Sequence, residues 1–169
     1  GRMFSYGKFV AAAVRAGCER TVWPGRFQVL RAEPPLILDG AHNPPAAEAL
    51  ARALKQTLKG RPVGLVLGMC EDKDAEAFLR AFHGVVRRAW IVPTPNERNM
   101  PAARLLAAAR GCGLPAEEAG DVDLAVDAAS AWAADAGGAV CVTGSLFLVG
   151  LVLAQREGRA VDANEGPAA

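Results

Sequence analysis

The chain has 169 residues, of which 51% are hydrophobic, so it holds enough apolar material for one sizeable core and predicts one globular domain. Nineteen basic residues against eighteen acidic ones give a formal charge of +1, which gives no reason to expect nucleic acid or an anionic membrane as a partner. Any anionic ligand must therefore be bound by a local arrangement of residues.

The cysteines and the first residues bear on where the protein works. The four cysteines include no CxxC pair and, with two histidines in the chain, lack the spacing of a zinc site, so we predict no metal site. Residues 1–4 do not open a signal peptide, because no apolar core of the right length and no cleavage site follow them. A reduced, cytoplasmic protein is the simplest interpretation.

The two ends of the chain differ from its middle. The first segment is alanine-rich around residues 8–16 and is broken at Gly17 and again at 24–25. We interpret residues 1–21 as the tail of a missing upstream domain or as a linker, and residues 22–158 as one folded domain. Residues 159–169 are polar and contain glycine and proline, so we expect them to fray.

From Leu36 onward, short β-branched runs alternate with longer segments rich in alanine and leucine, a pattern typical of a mostly parallel sheet covered by helices. We predict strands at residues 27–31, 36–38, 63–67, 88–92, 116–118 and 139–142. We predict helices at residues 46–59, 75–82, 101–110, 122–135 and 146–157. Only residues 32–35 separate the first two strands, too few for a crossover, so these strands should be antiparallel neighbours.

One uncharged segment, residues 136–154, is long enough to cross a bilayer if it formed a single helix. Glycines at 137–138 and the Thr-Gly-Ser sequence at 143–145 interrupt it, and residues 139–142 favour a strand. The segment therefore predicts a buried strand followed by a helix, and no membrane partner.

Four polar residues stand at predicted helix starts, where side-chain oxygens can accept hydrogen bonds from the first free amides. Asn43 and Asn99 each come just before a proline-containing first turn, in which the missing N–H costs nothing. Asp121 and Ser145 occupy the same position before two later helices. We predict that all four are helix caps.

Polar residues follow four of the predicted strands, at the point where each strand ends. In an open parallel sheet, ligands bind beyond the carboxyl ends of the strands, where helix N-termini present free N–H groups. We therefore expect a site at this edge, formed by the loops at 39–43, 71–74, 94–99 and 143–145.

His42 is the least expected residue in these loops. An imidazole cannot cap a helix as a hydroxyl, amide or carboxylate does, and His42 stands between Ala41 and Asn43 in a turn bounded by proline. The side chain of His42 has no evident structural role, so we favour a functional role for it.

Three motifs in order resemble a known family. DGAHNP at 39–44 resembles the strand-to-helix signature of folylpolyglutamate synthases, which are grouped with the Mur peptide ligases. WPGR at 23–26 resembles the entry into their carboxy-terminal domain, and TGSLFLVG at 143–150 resembles its last strand–helix junction. Leu67-Gly68 followed by Asp-Lys-Asp at 72–74 resembles the intervening loop, although the residues at 69–71 depart from it.

The resemblance covers about residues 22–153 and implies a Rossmann-like, three-layer α/β domain with helices on both faces of about six strands, one of them antiparallel. It implies an amide ligase that joins a folate or dihydropteroate carboxyl to L-glutamate through an acyl phosphate, with ATP and Mg²⁺ in the complete enzyme. The phosphate-binding loop G-x-x-x-x-G-K-[ST] is absent, so the resemblance also implies a separate amino-terminal P-loop domain, without which this chain should be inactive.

The resemblance further assigns roles to the nucleotide side of the site. Arg26 would bind a phosphate, Asp39 the ribose hydroxyls, and His42 and Asn43 would contact the nucleotide, with His42 the candidate catalytic residue. Arg26 could instead be a surface arginine, and Asp39 could serve only to stabilise the turn at Gly40.

Three further residues are assigned to the glutamate side. Ser145 and the helix that follows it would bind the α-carboxylate, while Lys73 and Asp74 would contact glutamate or the acyl phosphate. Ser145 would serve equally well as a plain helix cap, and Lys73 as a solvated lysine between two aspartates. Two other functions remain open: the equivalent domain of a muramyl-peptide ligase, and a nucleotide-binding module without catalytic activity.

Overall fold

The computed structural model describes residues 23–156, which form six strands and five helices. In chain order these are β1 (Gln28–Ala32), β2 (Pro35–Leu38), α1 (Pro44–Leu58), β3 (Val63–Leu67), α2 (Ala75–Arg80), β4 (Val86–Ile91), α3 (Ala102–Gly111), β5 (Ala116–Glu118), α4 (Val122–Ala136), β6 (Ala139–Thr143) and α5 (Leu146–Arg156). Every predicted strand and helix is present within two residues of its predicted limits. The tails predicted at 1–21 and 159–169 lie outside the described residues.

The strands form one sheet in the order β1-β2-β6-β3-β4-β5. Strands β1 and β2 are antiparallel, as the short connection between them predicted, and every other neighbouring pair is parallel. The predicted mixed sheet, with its single antiparallel pair near the beginning of the chain, is confirmed.

Helices cover both faces of the sheet, and each face has its own hydrophobic core. On one face α1, α2 and α3 pack their apolar side chains on the strands, with Leu54 and Phe78 fully buried among them. On the other face α4 and α5 do the same, with Ala129 and Val152 buried against β6 and β3. The predicted three-layer α/β architecture is therefore confirmed.

The position of β6 determines where the sheet can bind a ligand. This strand lies between β2 and β3, and the helix that follows it packs on the opposite face from the helices that follow its two neighbours. Helices that diverge from adjacent parallel strands leave a crevice between their N-termini, which is the usual binding position in open α/β sheets. The crevice of this domain lies beyond the carboxyl ends of β2, β6 and β3.

Three of the four predicted caps are confirmed. Asn43 Oδ1 accepts from the amide of Ala46 at 3.0 Å, and Asp121 Oδ1 accepts from that of Leu124 at 2.9 Å. Ser145 Oγ accepts from the amide of Phe147 at 3.2 Å.

The prediction that Asn99 caps a helix is wrong. Helix α3 begins at Ala102 after Pro101, and no side chain caps it. The amide oxygen of Asn99 instead accepts from the backbone N and the hydroxyl of Thr94, at 2.7 and 3.1 Å, because the chain folds back on itself between these two residues.

The uncharged segment at 136–154 divides between the end of α4, strand β6 and most of α5, as predicted. Among residues 23–156, no helix combines the length and the hydrophobicity needed to cross a membrane.

Cys141 gives a test of how completely the sheet is buried. The thiol is fully buried in β6, and burial, with a smaller contribution from the charge of Asp39, raises its pKa far above the ordinary 9.0. Above pH 9 the unfolded chain therefore loses this proton while the folded chain keeps it. The free energy of unfolding should then fall as the pH rises, by about 1.4 kcal/mol per pH unit from this group.

The measurement is urea unfolding of the wild type and of Cys141→Ala between about pH 8 and pH 11, with the difference between the two proteins plotted against pH. Groups other than Cys141 cancel in this difference. The wild type should lose stability relative to the variant above pH 9, and a difference that stays constant would show that the thiol is not shielded from water.

Candidate functional site

A small cavity of about 150 Å³ lies in the crevice beyond β2, β6 and β3, and we call it the rim cavity. It is formed by the loops that follow β2, β3, β4 and β6, so the predicted convergence of four loops is what the structure shows. Its lining residues are His42, Cys70, Lys73, Arg98, Gly144, Ser145, Leu146 and Phe147.

Close packing of backbone at Gly144 holds the rim cavity together. The amide of Gly144 and the hydroxyl of Thr143 both donate to the carbonyl of Ala41, at 2.9 and 3.2 Å, which joins the loop after β6 to the loop after β2. On its other side Gly144 lies against the loop after β3, and a Cβ atom on it would stand 2.5 Å from the carbonyl oxygen of Gly68. Glycine is required here, since the backbone φ of +98° is also one that other residues rarely adopt.

Ser145 and the start of α5 form one wall of the rim cavity. The first amides of a helix have no intrahelical acceptor and lie at the positive end of its dipole. The oxygen of Ser145 takes the amide of Phe147, so the hydroxyl proton of Ser145 is still available to a ligand. This wall therefore offers donors to an anion, although Ser145 is also the helix cap.

His42 forms the wall on the β2 side. Its Nδ1 lies 2.9 Å from the carbonyl oxygen of Gly40. A carbonyl only accepts, so Nδ1 carries the proton and Nε2 is left for a ligand. In the neutral ring Nε2 can accept from an amine, and in the protonated ring it can donate to an anion.

Lys73 and Arg98 bring positive charge from the loops after β3 and β4. Lys73 Nζ pairs with Asp72 at 2.7 Å, and this hydrogen bond is the main reason that the pKa of the exposed Asp72 carboxyl lies below its ordinary value. No carboxylate is among the residues that line the rim cavity. The cavity is therefore suited to a small anion.

Asp74, predicted to contact glutamate, is not among the lining residues. Its Oδ1 accepts from the amide of Ala77 at 2.9 Å and caps α2. The Asp-Lys-Asp sequence thus places its lysine in the rim cavity, pairs its first aspartate with that lysine, and uses its second to start a helix.

Asp39 lies beside the rim cavity and joins two segments of backbone. Its Oδ1 accepts from the amide of Ala41 and its Oδ2 from that of Phe27, each at 2.9 Å. Each carboxylate oxygen keeps a lone pair for a further donor. The structural role that was the alternative interpretation of Asp39 is therefore present, and it leaves room for a ligand role.

Arg26 lies close to Asp39, because the amide of the next residue, Phe27, donates to Asp39 Oδ2. Its side chain is exposed, and its Nη1 lies so near Gly40 that a Cβ there would be 2.5 Å away. Asn43 is exposed a few residues further on, and its amide nitrogen is not used by the cap. Arg26 and Asp39 are thus neighbours, and Asn43 stands just beyond His42 on the loop after β2; we call Arg26, Asp39 and Asn43 the strip.

Arg98 also lines the cavity, although the resemblance assigned no role to it. It stands among the polar residues at 94–99, where only one residue is a cation, and that single positive charge was the available signal. Its place in the cavity depends on how the loop after β4 folds back towards β3, and a motif cannot show this.

A larger cavity, of about 590 Å³, lies near the amino ends of β4 and β5, between the C-terminal ends of α2 and α3. Of its basic residues, Arg80 stands in the last turn of α2 and His83 just after that helix, where cations offset the negative end of the dipole, and Arg87 lies in β4. We place the functional site at the smaller cavity, because the switch in helix direction and the free helix N-terminus occur there.

Comparison with known proteins identifies the family. The model of the family described as "Mur ligase, glutamate ligase domain" matches residues 25–146. The chain belongs to this family. The matched segment of this glutamate ligase domain includes the strip, His42 and every lining residue of the rim cavity except Phe147.

Individual relatives confirm the resemblance to folylpolyglutamate synthases. The dihydrofolate synthase/folylpolyglutamate synthase of Escherichia coli K12 is 38% identical over 94 residues, which are 56% of this chain and 22% of the relative. The structure of E. coli FolC in complex with DHPP and ADP superimposes with a TM-score of 0.76 at 35% identity, covering 87% of this chain and 34% of that one. A bifunctional folylpolyglutamate synthase/dihydrofolate synthase with Mn, AMPPNP and L-glutamate bound gives 0.71 at 33% identity, covering 82% and 32%. The chain thus spans about a third or less of these proteins.

Gly144→Ala tests the junction on which the rim cavity depends. The added methyl would meet the Gly68 carbonyl in a backbone conformation unfavourable to alanine, so we expect a loss of about 2–5 kcal/mol in the free energy of unfolding. Gly150→Ala in α5 is the matched control, since its methyl would meet nothing within 4 Å. The control should be neutral or stabilising by up to about 1 kcal/mol in urea unfolding. Equal effects of the two substitutions would contradict the close contact.

Asp39→Ala tests the role of that carboxylate in the fold. It removes two acceptors of backbone amides and should cost about 2–4 kcal/mol, whereas Asp39→Asn keeps one acceptor and should cost about half as much. Asp135→Ala, on an exposed site in α4, should change stability by less than about 0.5 kcal/mol. Thermal unfolding of the three variants measures this, and a fully stable Asp39→Ala would leave the carboxylate with a ligand role alone.

Proposed function

We propose that this chain is the carboxy-terminal, amino-acid-binding domain of an ATP-dependent folylpolyglutamate synthase, or of a bifunctional enzyme that also acts as a dihydrofolate synthase. The observation that carries the proposal is the rim cavity, in which the N-terminus of α5 and Ser145 face His42, Lys73 and Arg98 with no carboxylate among the lining residues. Such a cavity would bind a small carboxylic acid, and membership of a glutamate ligase family supports L-glutamate as that acid.

The reaction would join the amine of glutamate to a folate or dihydropteroate carboxyl that ATP has activated as an acyl phosphate. Ser145 and the first amides of α5 would bind the α-carboxylate of glutamate. Lys73 would offer positive charge near the acyl phosphate. His42 Nε2, which the contact of Nδ1 with the Gly40 carbonyl leaves available, would accept from the attacking amine or donate to phosphate.

The strip beside the rim cavity would contact ATP. Arg26 is exposed, so its guanidinium can bind phosphate oxygens. Asp39 keeps lone pairs for ribose hydroxyls beyond those its two amides use, and Asn43 can donate from its side-chain nitrogen. ATP supplies the phosphoryl group that activates the carboxyl, and these three residues would hold and orient the nucleotide.

The Mg²⁺ of such a reaction would be bound largely through the nucleotide phosphates, since such sites use one or two carboxylates together with substrate phosphates. Residues 23–156 contain no group of three or more His, Cys, Asp or Glu side chains placed to hold a metal ion. Nucleotide phosphates and a separate amino-terminal P-loop domain would supply its ligands. We therefore propose that this chain acts with that domain and is inactive without it.

The cellular setting of the proposal is the cytoplasm. Cys70, Cys112 and Cys141 are all free thiols, and Cys70 and Cys141 are buried. Thiols persist in a reducing compartment, which is where ATP and folates would be used together.

Two substitutions test the binding of glutamate in the complete enzyme. Ser145→Ala and Lys73→Ala each remove a hydrogen bond to a charged group, so each should raise the KM for glutamate about 10- to 100-fold while changing the KM for ATP little. Lys55→Ala, an exposed lysine in the last turn of α1, is the matched control and should leave both constants unchanged. The assay measures ATP-dependent ligation of glutamate to tetrahydrofolate or dihydropteroate.

Two outcomes would overturn the proposal. If the wild-type enzyme ligated an amino acid to a nucleotide-linked muramyl substrate and not to folate, the chain would belong to a muramyl-peptide ligase. If it bound ADP without ligating either substrate, it would be a nucleotide-binding module that has no catalytic activity.

A further inference from the structure

We infer that the larger cavity, near the amino ends of β4 and β5, is a second binding site, and that its ligand is an aromatic anion: a flat apolar ring system that carries a carboxylate or a phosphate. We call it the β4–β5 cavity. It shares no lining residue with the rim cavity, which lies beyond the carboxyl ends of its strands. The inference is therefore independent of the proposed function, and it follows from the size, the floor and the charge of this cavity.

The β4–β5 cavity has the size of a site for a small molecule. Its volume of about 590 Å³ falls within the range of about 300–1,000 Å³ that is typical of such sites. Three glycines, Gly84, Gly111 and Gly113, line it, and a Cβ atom on any of them would meet nothing within 4 Å. Gly84 and Gly113 have φ angles of +78° and +67°, so the turns after α2 and α3 favour glycine and leave this space open.

The floor of the β4–β5 cavity is apolar. Phe82, just after α2, and Val86, at the start of β4, line it and are 1% and 7% exposed. Leu79 and the half-buried Leu114 complete this surface. A flat apolar ring placed on it would leave water and could pack against the ring of Phe82.

Two consecutive arginines in β4 show how charge is placed at the β4–β5 cavity. Side chains alternate between the faces of a strand, so Arg87 and Arg88 lie on opposite faces of the sheet. Arg88 pairs with Glu117 at 3.0 Å and lies over the ring of Trp90, 5.2 Å from its centroid. Arg87 lines the cavity, and in the part of the chain that the structure describes its guanidinium has no ion pair and donates no hydrogen bond. Its charge is therefore available to a ligand.

The other charged groups do not cancel this one. Arg80 also lines the β4–β5 cavity and pairs with Glu76, whose carboxylate is thereby occupied. His83 adds a third basic side chain, and none of the lining residues is acidic. A guanidinium binds a carboxylate or a phosphate through paired hydrogen bonds and also stacks on aromatic rings, so Arg87 suits both parts of an aromatic anion.

The helix dipoles alone do not explain Arg87. It belongs to a strand, and backbone amides already bind carbonyls at the ends of both neighbouring helices. The amide of Phe82 donates to the carbonyl of Leu79 at 3.0 Å, and that of Leu114 donates to the carbonyl of Ala109 at 2.9 Å. These turns satisfy the helix ends without a cationic side chain, which leaves Arg87 without a structural partner.

The test is a fluorescence titration of the full chain with 2-naphthoate, which should bind with a Kd below about 1 mM. Arg87→Ala removes a hydrogen bond to a charged group and should raise this Kd about 10-fold. Arg110→Ala is the matched control, because Arg110 is an exposed arginine in the last turn of α3 that does not line the cavity. It should change the Kd less than about twofold.

Three further probes separate the parts of the ligand. The neutral 2-naphthamide lacks the charge and inorganic phosphate lacks the ring, so each should bind at least about 10-fold more weakly than 2-naphthoate. 2-Naphthyl phosphate carries the other head group, and the lower Kd of the two naphthyl anions identifies the natural one. If the neutral amide or the bare phosphate bound as tightly as both naphthyl anions, the aromatic anion would be the wrong class.

Amide NMR shifts locate the bound probe. Saturable shifts should appear at Gly84 and Gly113 and not at Gly144, which lies in the rim cavity. Shifts confined to Gly144 and its neighbours, equal losses for Arg87→Ala and Arg110→Ala, or no binding of either naphthyl anion at about 5 mM would each overturn the inference. Thermal unfolding of the Arg87 variant checks that this exposed side chain is not needed for the fold. None of these results bears on the ligation of glutamate.

Discussion

The contact between Gly144 and the carbonyl of Gly68 is the constraint on which the site depends. It lets the chain leave β6, pass within van der Waals distance of the loop after β3, and enter α5 on the opposite face of the sheet. Any side chain at 144 would separate these loops. Because the loop after β2 is joined to the same turn through the carbonyl of Ala41, one glycine aligns three loops around one small cavity. The helix N-terminus, His42 and Lys73 face a common space only because the backbone approaches so closely.

Several polar atoms at this edge serve both the fold and the proposed ligands. The oxygen of Ser145 caps α5 while its proton stays free, and the oxygens of Asp39 join two segments of backbone while each keeps a lone pair. The hydrogen bonds that stabilise the fold also hold these groups in position, so the groups need no separate supporting contact. It also couples stability to activity, since the loss of Asp39 would loosen the turn that positions His42. Asp74 differs from these residues: its carboxylate caps the start of α2, and it is not among the residues that line the rim cavity.

Most of the architecture could be predicted from the sequence, because local patterns determine the strands, the helices and the antiparallel start of the sheet. The short link before Pro35 excluded a crossover, and the glycines at 137–138 excluded a membrane helix. What could not be predicted depends on contacts between distant residues. The insertion of β6 between β2 and β3 follows from packing on two faces, and the pairing of Asn99 with Thr94 follows from the reversal of a loop. Asn99 looked like a cap because the sequence shows the proline after it and not the fold that draws its side chain back. No role was predicted for Arg98 for the same reason, because the fold of the loop after β4 brings it to the cavity.

The charged side chains of this domain can attract an anion only through their local positions. The chain has a formal charge of only +1, so no long-range field draws an anion to it. The rim cavity gathers a helix N-terminus, His42, Lys73 and Arg98, while Asp72, which is not among the lining residues, holds Lys73 in an ion pair. That pair moderates the charge of one cation while the other remains free to bind. The cavity therefore offers an anion two groups of different character, a set of hydrogen-bond donors at the start of α5 and the guanidinium of Arg98.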